Sequence, residues 1–255
     1  MQNVKIKEFK RQKNDKFLLF LDTPKLIEEA CLAGFVPKII FVDDEKKEKI
    51  FNDFNIFSNN SFTKKCFFVS SNIIASLADV KTPQGIVALF EYPELELKLP
   101  SNNFLVLDTV QDAGNVGTLL RSAVGAGFND VYLLDCAKIN NIKLIRSSMG
   151  AIFKLNIFQT SKNDFIDFFN FKNNSNYKLF GCDMQGQNIF KINHKILTNN
   201  FGIVLGNEGT GLSLEIKNIC DNFLSVPMLN NLESLNVAVA GSIIMFYLQF
   251  INDKI

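Results

Sequence analysis

The sequence predicts an α/β fold in two parts, a carboxyl-terminal domain built on a mostly parallel sheet and a smaller amino-terminal α/β unit. Three observations carry this. Apolar runs of strand length alternate with segments of helical character along the chain, which argues for a sheet covered by helices. The runs Phe104–Asp108 and Val131–Asp135 are almost continuously apolar, as strands buried on both faces are. Between the two parts, Tyr92–Pro100 combines two prolines with alternating Glu and Lys and reads as a linker.

Taken in order, Phe17–Leu21 is the first strand. Thr23 then precedes Pro24 as an N-cap with proline at the first helical position, and the helix runs to Ala33 and stops at Gly34. Strands follow at Lys38–Val42, Cys66–Val69 and Gly85–Phe90. The asparagine-rich stretch from Asp43 to Lys65, with the charge run Asp43–Lys49, reads as a solvated helix face or loop. Beyond the linker, Phe104–Asp108, a Gly/Asn-rich turn, a helix over Val116–Gly125 and Val131–Asp135 make a βαβ unit. Further strands are expected at Lys154–Phe158, Lys178–Cys182 and Phe201–Leu205, with a last helix over Leu235–Phe250. The domains are therefore residues 1–92 and 101–255, with a linker at 93–100.

Composition narrows the function. At 47% hydrophobic and 21% charged, with 26 phenylalanines, the chain packs a core and is not a disordered segment. Its 27 basic and 26 acidic residues nearly cancel, so any contact with nucleic acid must rest on local patches. One such patch is Lys5, Lys7, Lys10, Arg11, Lys13 and Lys16 against Glu8 and Asp15, a local +4, which reads as a phosphate-contacting strip or a solvated helix face. Five scattered cysteines without a Cys-x-x-Cys pair point to a reducing compartment. The single histidine, His194, has no ligating neighbour and reads as an ordinary surface or loop residue, so no metal site is expected. Phe17–Leu21 is too short for a secretory signal, and the 15 residues Val237–Ile251 fall short of the ~20 that span a bilayer. A cytoplasmic protein without membrane contact is the expectation.

Seven of the 14 glycines lie in two windows, Gly114–Gly127 and Gly206–Gly211, each directly after a strand, where crevices form in open α/β sheets. Neither window matches the dinucleotide fingerprint or the phosphate loop, which argues against a nicotinamide-dependent oxidoreductase. The second window carries a carboxylate, Glu208, which disfavours a polyphosphate; the ligand is neutral or cationic, or Glu208 holds a neighbouring cation. Arginine is scarce, only Arg11, Arg121 and Arg146, and Arg121 follows the first window on its helix. Arg146 faces substrate or forms a buried structural pair. A third segment, Ser225–Gly241, sets polar residues before a small-residue helix that Ser234 can cap, leaving amides near Leu235 and Asn236 free for a ligand.

Asn115–Arg121, Leu205–Gly211 and Val226-Pro-Met with Ser234–Ala240 resemble the three ordered motifs of the SpoU (TrmH-type) RNA ribose 2′-O-methyltransferases, over about residues 101–251. Lys81-Thr-Pro-Gln-Gly85 closes an amino-terminal part similar to that family's ribosomal-protein-like substrate-binding domain. Asp22-Thr23 stands where many relatives have Glu-Gly. The resemblance implies a SPOUT-type domain with a trefoil knot that dimerises through its carboxyl-terminal domain, and an S-adenosylmethionine site using backbone at Gly206, Val226 and Leu235. It also implies a catalytic surface of Asn115, Arg121, Glu208, Ser234 and Asn236, acting on RNA; the added amino-terminal domain makes ribosomal RNA the expected substrate, with transfer RNA as the alternative. A non-catalytic RNA-binding assembly factor is the rival reading. Free guanidinium, with a pKa of roughly 12 to 14, is a poor base, so Arg121 is expected to stabilise the forming oxyanion electrostatically.

Overall fold

The computed structural model describes residues 2–54, 65–172, 177–193, 197, 200–230 and 234–252; His194 lies outside them. The chain forms two compact units, one of Met1–Pro93 with Ile139–Phe153, the other of Glu94–Lys138 with Lys154–Ile255. The first break falls at the proline-marked linker. Segment Ile139–Phe153, which sequence reasoning left in the second domain, packs with the first unit.

The first unit comprises α1 (Gln2–Gln12), β1 (Leu18–Leu21), α2 (Pro24–Leu32), β2 (Pro37–Asp43), α3 (Lys47–Asp53), β3 (Cys66–Val69), α4 (Ser71–Leu77) and β4 (Ile86–Glu91). Its sheet runs β1-β4-β2-β3, antiparallel except for β2 with β3. Thr23 caps α2 as its sequence suggests, its Oγ1 accepting from Leu26 N at 3.4 Å. The core gathers on Phe9, whose ring meets Phe20 and Phe41 edge-on at 6.0 and 5.3 Å. Burying such a side chain contributes about 2–3 kcal/mol, which fixes α1 on the sheet.

That docking sorts the basic strip. Lys13 is consumed by Asp79 and the Leu77 carbonyl at 2.6 and 2.7 Å, and the Lys5 ammonium lies 3.8 Å from the centre of the Phe67 ring. Lys7, Lys10 and Arg11 stay exposed on α1. The returning segment carries a short helix, Ile142–Ser148, whose Arg146 donates to the carboxylate of buried Asp22 through Nη2 and through Nε at 3.4 Å. Of the two readings open for Arg146, the structure takes the structural pair: a carboxylate withdrawn from water needs its counter-ion.

The second unit is built on β5 (Phe104–Asp108), β6 (Asp130–Leu134), β7 (Asn156–Thr160), β8 (Lys178–Asn188), β9 (Phe201–Leu205) and β10 (Asn222–Ser225), in the order β10-β8-β9-β5-β6-β7 with every pairing parallel. The chain moves outward from β5 through β6 to β7, then crosses back to β8 and β9. The order therefore reverses between β5 and β9, and a crevice opens at their carboxyl ends. Helices α5 (Ala113–Gly125), α6 (Lys162–Lys172) and α7 (Val237–Asn252) cover the sheet. On one face Phe104, Tyr132, Phe158 and Phe165 form the core. On the other, a Cβ at Gly241 would lie 2.4 Å from Leu205 and 2.6 Å from Leu119, so glycine there lets α7 lie against β9 and α5.

Two boundaries move for physical reasons. Helix α5 opens at Ala113, not near Val116, because Asp112 caps it, its Oδ1 accepting from Asn115 N at 2.9 Å. Packing of Val116, Gly117 and Leu120 in the core overrides the poor helix propensity of the two glycines in the first turns. Strand β8 continues past Cys182 to Asn188. It leaves β9 at Gly181, its register against β10 shifts between Phe223 and Leu224, and it rejoins β10 at Gln187 and Asn188.

Candidate active site

The crevice at the reversal point is a cleft of about 910 Å³ between three segments: the turn after β9, the stretch from Leu224 to Met228, and Ser234–Ile244 at the start of α7. Cys182–Met184, where β8 detours, form the fourth wall.

The turn after β9 is shaped by backbone contact. Asn207 and Gly211 exchange both main-chain hydrogen bonds at 3.0 and 2.9 Å, closing a tight loop over Glu208, Gly209 and Thr210. A Cβ on Gly206 would fall 2.3 Å from the Gly211 carbonyl carbon, and Gly211 has φ +69°, so both positions require glycine. The Asn207 side chain holds the turn from within. Its Oδ1 accepts from Gly209 N and Thr210 N at 2.9 and 3.2 Å, and its Nδ2 donates to the Thr109 carbonyl at 2.9 Å, tying the turn after β9 to the end of β5. Thr109 itself has φ 56°, an unfavourable conformation for a β-branched residue that this tie helps to hold.

Glu208 is thereby lifted to the cleft edge, where Asn115 Nδ2 donates to its Oε1 at 3.0 Å. Asn115 Oδ1 in turn accepts from Asn236 Nδ2 at 3.0 Å, and Asn236 Oδ1 accepts from Ala238 N and Val239 N at 2.9 and 3.3 Å. The backbone amides of α7 can only donate, so they fix which end of Asn236 points inward, and that fixes Asn115 with its donor toward the carboxylate. Asn236, not Ser234, is therefore the N-cap of α7. The helix begins at Val237, two residues later than expected, and Ser234 is left exposed on the cleft wall with no capping role.

Of the eight residues picked from sequence, Gly206, Glu208, Val226, Ser234, Leu235 and Asn236 line this one cleft, and Asn115 joins it through Glu208 and Asn236. Arg121 does not line it. It lies six residues beyond Asn115 on α5, about 9 Å along the axis and roughly 120° round it, on an exposed face with Thr118 and Gly125. No acid among the described residues pairs with it.

Sequence reasoning missed three contributors. Asn207 was detectable, since asparagine between glycines is a common source of side-chain-to-backbone turns. Buried Asp108, which ends β5 and accepts from Ser213 N at 2.7 Å, looks in sequence like any strand terminus. The third is the ion pair of Asp183 and Lys217, both in the cleft wall, with Nζ to Oδ2 at 2.9 Å. Their 34-residue separation carries no pattern.

Chemically, among the described residues the cleft walls carry two carboxylates and one cation, Lys217, which is neutralised by Asp183. This suits a ligand that is apolar in bulk and cationic or neutral, and not a polyphosphate. Cys182 lines the cleft, but burial pushes its thiol far above its ordinary range, so it is no thiolate nucleophile. Among the described residues no cluster of His, Cys, Asp and Glu could hold a metal ion, and no helix is long and apolar enough to cross a membrane.

Comparison with known proteins meets the same segments. The family model for the SpoU rRNA methylase family matches residues 102–246. The chain is 30% identical over 256 residues to the 23S rRNA (guanosine(2553)-2′-O)-methyltransferase RlmP of Bacillus subtilis (strain 168), covering 97% of each chain. Among solved structures, the SpoU methyltransferase AviRb from Streptomyces viridochromogenes, in complex with the cofactor AdoMet, superposes with a TM-score of 0.83 at 20% identity, covering 99% of this chain and all of that one. A putative RNA methyltransferase of the TrmH family from Porphyromonas gingivalis gives 0.81 at 23% identity, over 95% and 96%. The glycine turn, the Asn115–Glu208–Asn236 chain and the cleft they border all lie within the matched span, and this chain belongs to the SpoU rRNA methylase family.

Proposed function

We propose that this protein transfers a methyl group from S-adenosylmethionine to a ribose 2′-hydroxyl of structured RNA, ribosomal RNA in the first instance. The observation that carries the reading is the hydrogen-bonded chain Asn236–Asn115–Glu208 at the mouth of the cleft, held in one orientation by the first turn of α7. The similarity to RlmP across nearly the whole chain supports ribosomal RNA as the substrate class.

The cleft fits the cofactor by charge and by size. Glu208 favours a sulfonium cation, and about 910 Å³ lies in the range of pockets that enclose drug-sized ligands. Gly206, Val226 and Leu235 would hold it through backbone. When bound, S-adenosylmethionine supplies an electrophilic methyl group open to in-line displacement. The chain's own task is positioning. Glu208, its orientation fixed by Asn115, would offer its negative charge to the cationic cofactor, while the Ser234 hydroxyl and the Asn236 amide edge would complete a hydrogen-bonding surface for the acceptor ribose. Arg121, which does not line its own chain's cleft, would stabilise from a second copy the negative charge that grows on the 2′-oxygen, a role for which a permanently charged fork is suited and which asks no proton transfer of it.

The position of Arg121 supports a homodimer through the second unit. Val239, Phe246 and Phe250 are each about half exposed and recur at i, i+7 and i+11 on one face of α7. The Phe246 ring lies against Gly125, which shares the exposed face of α5 with Arg121. A second copy covering the apolar stripe would enclose Arg121 in the interface. The amino-terminal 1–92 domain, joined by the 93–100 linker to the 101–255 methyltransferase domain and packed with that domain's Ile139–Phe153 segment, is assigned to RNA capture, with Lys7, Lys10 and Arg11 as the exposed cations of α1. We assign the carboxyl-terminal domain a trefoil knot on its membership of the SpoU family, and place the protein in the cytoplasm.

Incubation of the purified protein with methyl-labelled S-adenosylmethionine and total RNA from cells lacking the gene tests the reading. Label in ribosomal RNA, mapped as a 2′-O-methyl nucleotide missing in those cells, is the expected result. RNA retained without label would mark a non-catalytic binder, and label confined to transfer RNA would change the substrate.

A further inference from the structure

One pair in the cleft wall has no part in the chemistry above. Asp183 sits where β8 detours, and both of its oxygens are held: Oδ1 accepts from Gln185 N at 3.0 Å and Oδ2 from Lys217 Nζ at 2.9 Å. These bonds hold its carboxyl below the usual carboxylate range, so it stays an acceptor at neutral pH. A carboxylate offers about four lone-pair sites, and two donors leave capacity on each oxygen. The pair is only partly screened by its own chain, at 26% and 38% side-chain exposure for Asp183 and Lys217, and both residues face the cleft.

We infer that Asp183 is the ribose-recognition residue of the cleft, accepting hydrogen bonds from the vicinal hydroxyls of the adenosine moiety, with Lys217 as the residue that positions it. The inference rests on the S-adenosylmethionine reading of the cleft. The cofactor offers two groups that a carboxylate could bind, the ribose diol and the α-ammonium of the methionine arm. Lys217 decides between them. A second ammonium brought to the same carboxylate would be repelled by the cation already within hydrogen-bond distance, whereas neutral hydroxyls meet no such penalty. Two adjacent hydroxyl donors also match two oxygens that are already fixed in place, so little ordering is left for binding to impose.

Calorimetry separates these contacts without any turnover. S-Adenosylhomocysteine carries both the diol and the amino acid arm, 5′-methylthioadenosine carries only the diol, and 2′,3′-dideoxy-5′-methylthioadenosine carries neither. Asp183→Ala is expected to weaken the first two by about 10- to 100-fold, the range of a hydrogen bond to a charged group, and to leave the dideoxy compound within about twofold. Lys217→Met should give a smaller loss of the same pattern, and Asp183→Asn, which keeps the side-chain shape, should also lose affinity for the two diol ligands alone. Weaker S-adenosylhomocysteine with unchanged methylthioadenosine would move the contact to the ammonium and overturn the inference. Equal losses on all three ligands would overturn it too, by showing a general wall effect. Wild-type protein that binds none of them would instead bring down the cofactor reading itself.

Discussion

The Asn236 side chain donates from Nδ2 to Oδ1 of Asn115, 121 positions earlier in the chain, at 3.0 Å, while its own Oδ1 caps α7. One amide thus serves helix and site together. Asn236→Ala should remove both functions. Loss of the cap costs about 1 kcal/mol, a fall of roughly 2–4 °C in the melting temperature of a protein of this size. Asn236→Ser should recover most of that stability yet leave methyl transfer impaired, since serine caps the helix but does not reach Asn115. Thermal unfolding beside a transfer assay checks the split; parallel recovery of both would show the amide to be structural only.

Gly206→Ala places a methyl group 2.3 Å from the Gly211 carbonyl carbon, and backbone must move to accept it. The turn that carries Glu208 then shifts as a body. Binding of S-adenosylhomocysteine is expected to fall at least tenfold, with far-ultraviolet circular dichroism unchanged. Wild-type affinity in the variant would show that the turn does not shape the pocket.

Arg121 is exposed and has no partner among the described residues, so Arg121→Ala should leave the melting temperature within about 1 °C. Transfer should nevertheless fall by at least a hundredfold, with S-adenosylhomocysteine affinity changed only a few fold. Near-normal turnover would remove the arginine from the mechanism.

Arg146→Ala leaves the buried Asp22 carboxylate without its counter-ion and should destabilise the first unit by about 3 kcal/mol, read as a lower urea midpoint. Because the pair lies wholly within that unit, cofactor affinity should not change.

Acid should act on the cleft through Asp183. The Lys217 and Gln185 bonds lower its folded-state pKa, so its contribution is complete above the ordinary aspartate value near 4 and is lost as pH falls through the lowered one. A stability gap between wild type and Asp183→Asn at pH 5 should close towards pH 3 in denaturant titrations. A gap constant with pH would mean that the charge is not what holds the pair.

Much of the second unit could be read in advance. Strands β5 and β9 are unbroken apolar runs ending in polar or glycine-rich turns, and residues of the second and third motifs line one cleft, to which Asn115 of the first is hydrogen-bonded. Strand β8 shows the limit. Its far half pairs only where β10 returns to it, so nothing local in Met184–Asn188 announces a strand. The cap of α7 was misplaced by the same logic: serine and asparagine are both good caps, and the choice of Asn236 depends on Asn115, a residue far away in sequence. The excursion of Ile139–Phe153 into the first unit brings Arg146 to Asp22, again a relation no local pattern contains.

Because a single amide both starts α7 and holds Asn115 against Glu208, fraying of that first turn and loosening of the cleft mouth are one event. Protection of the Ala238 and Val239 amides against deuterium exchange should therefore report, without any substrate present, the fraction of molecules whose catalytic edge is assembled. Warming that strips those two amides of protection should silence the enzyme well before the sheet beneath it melts.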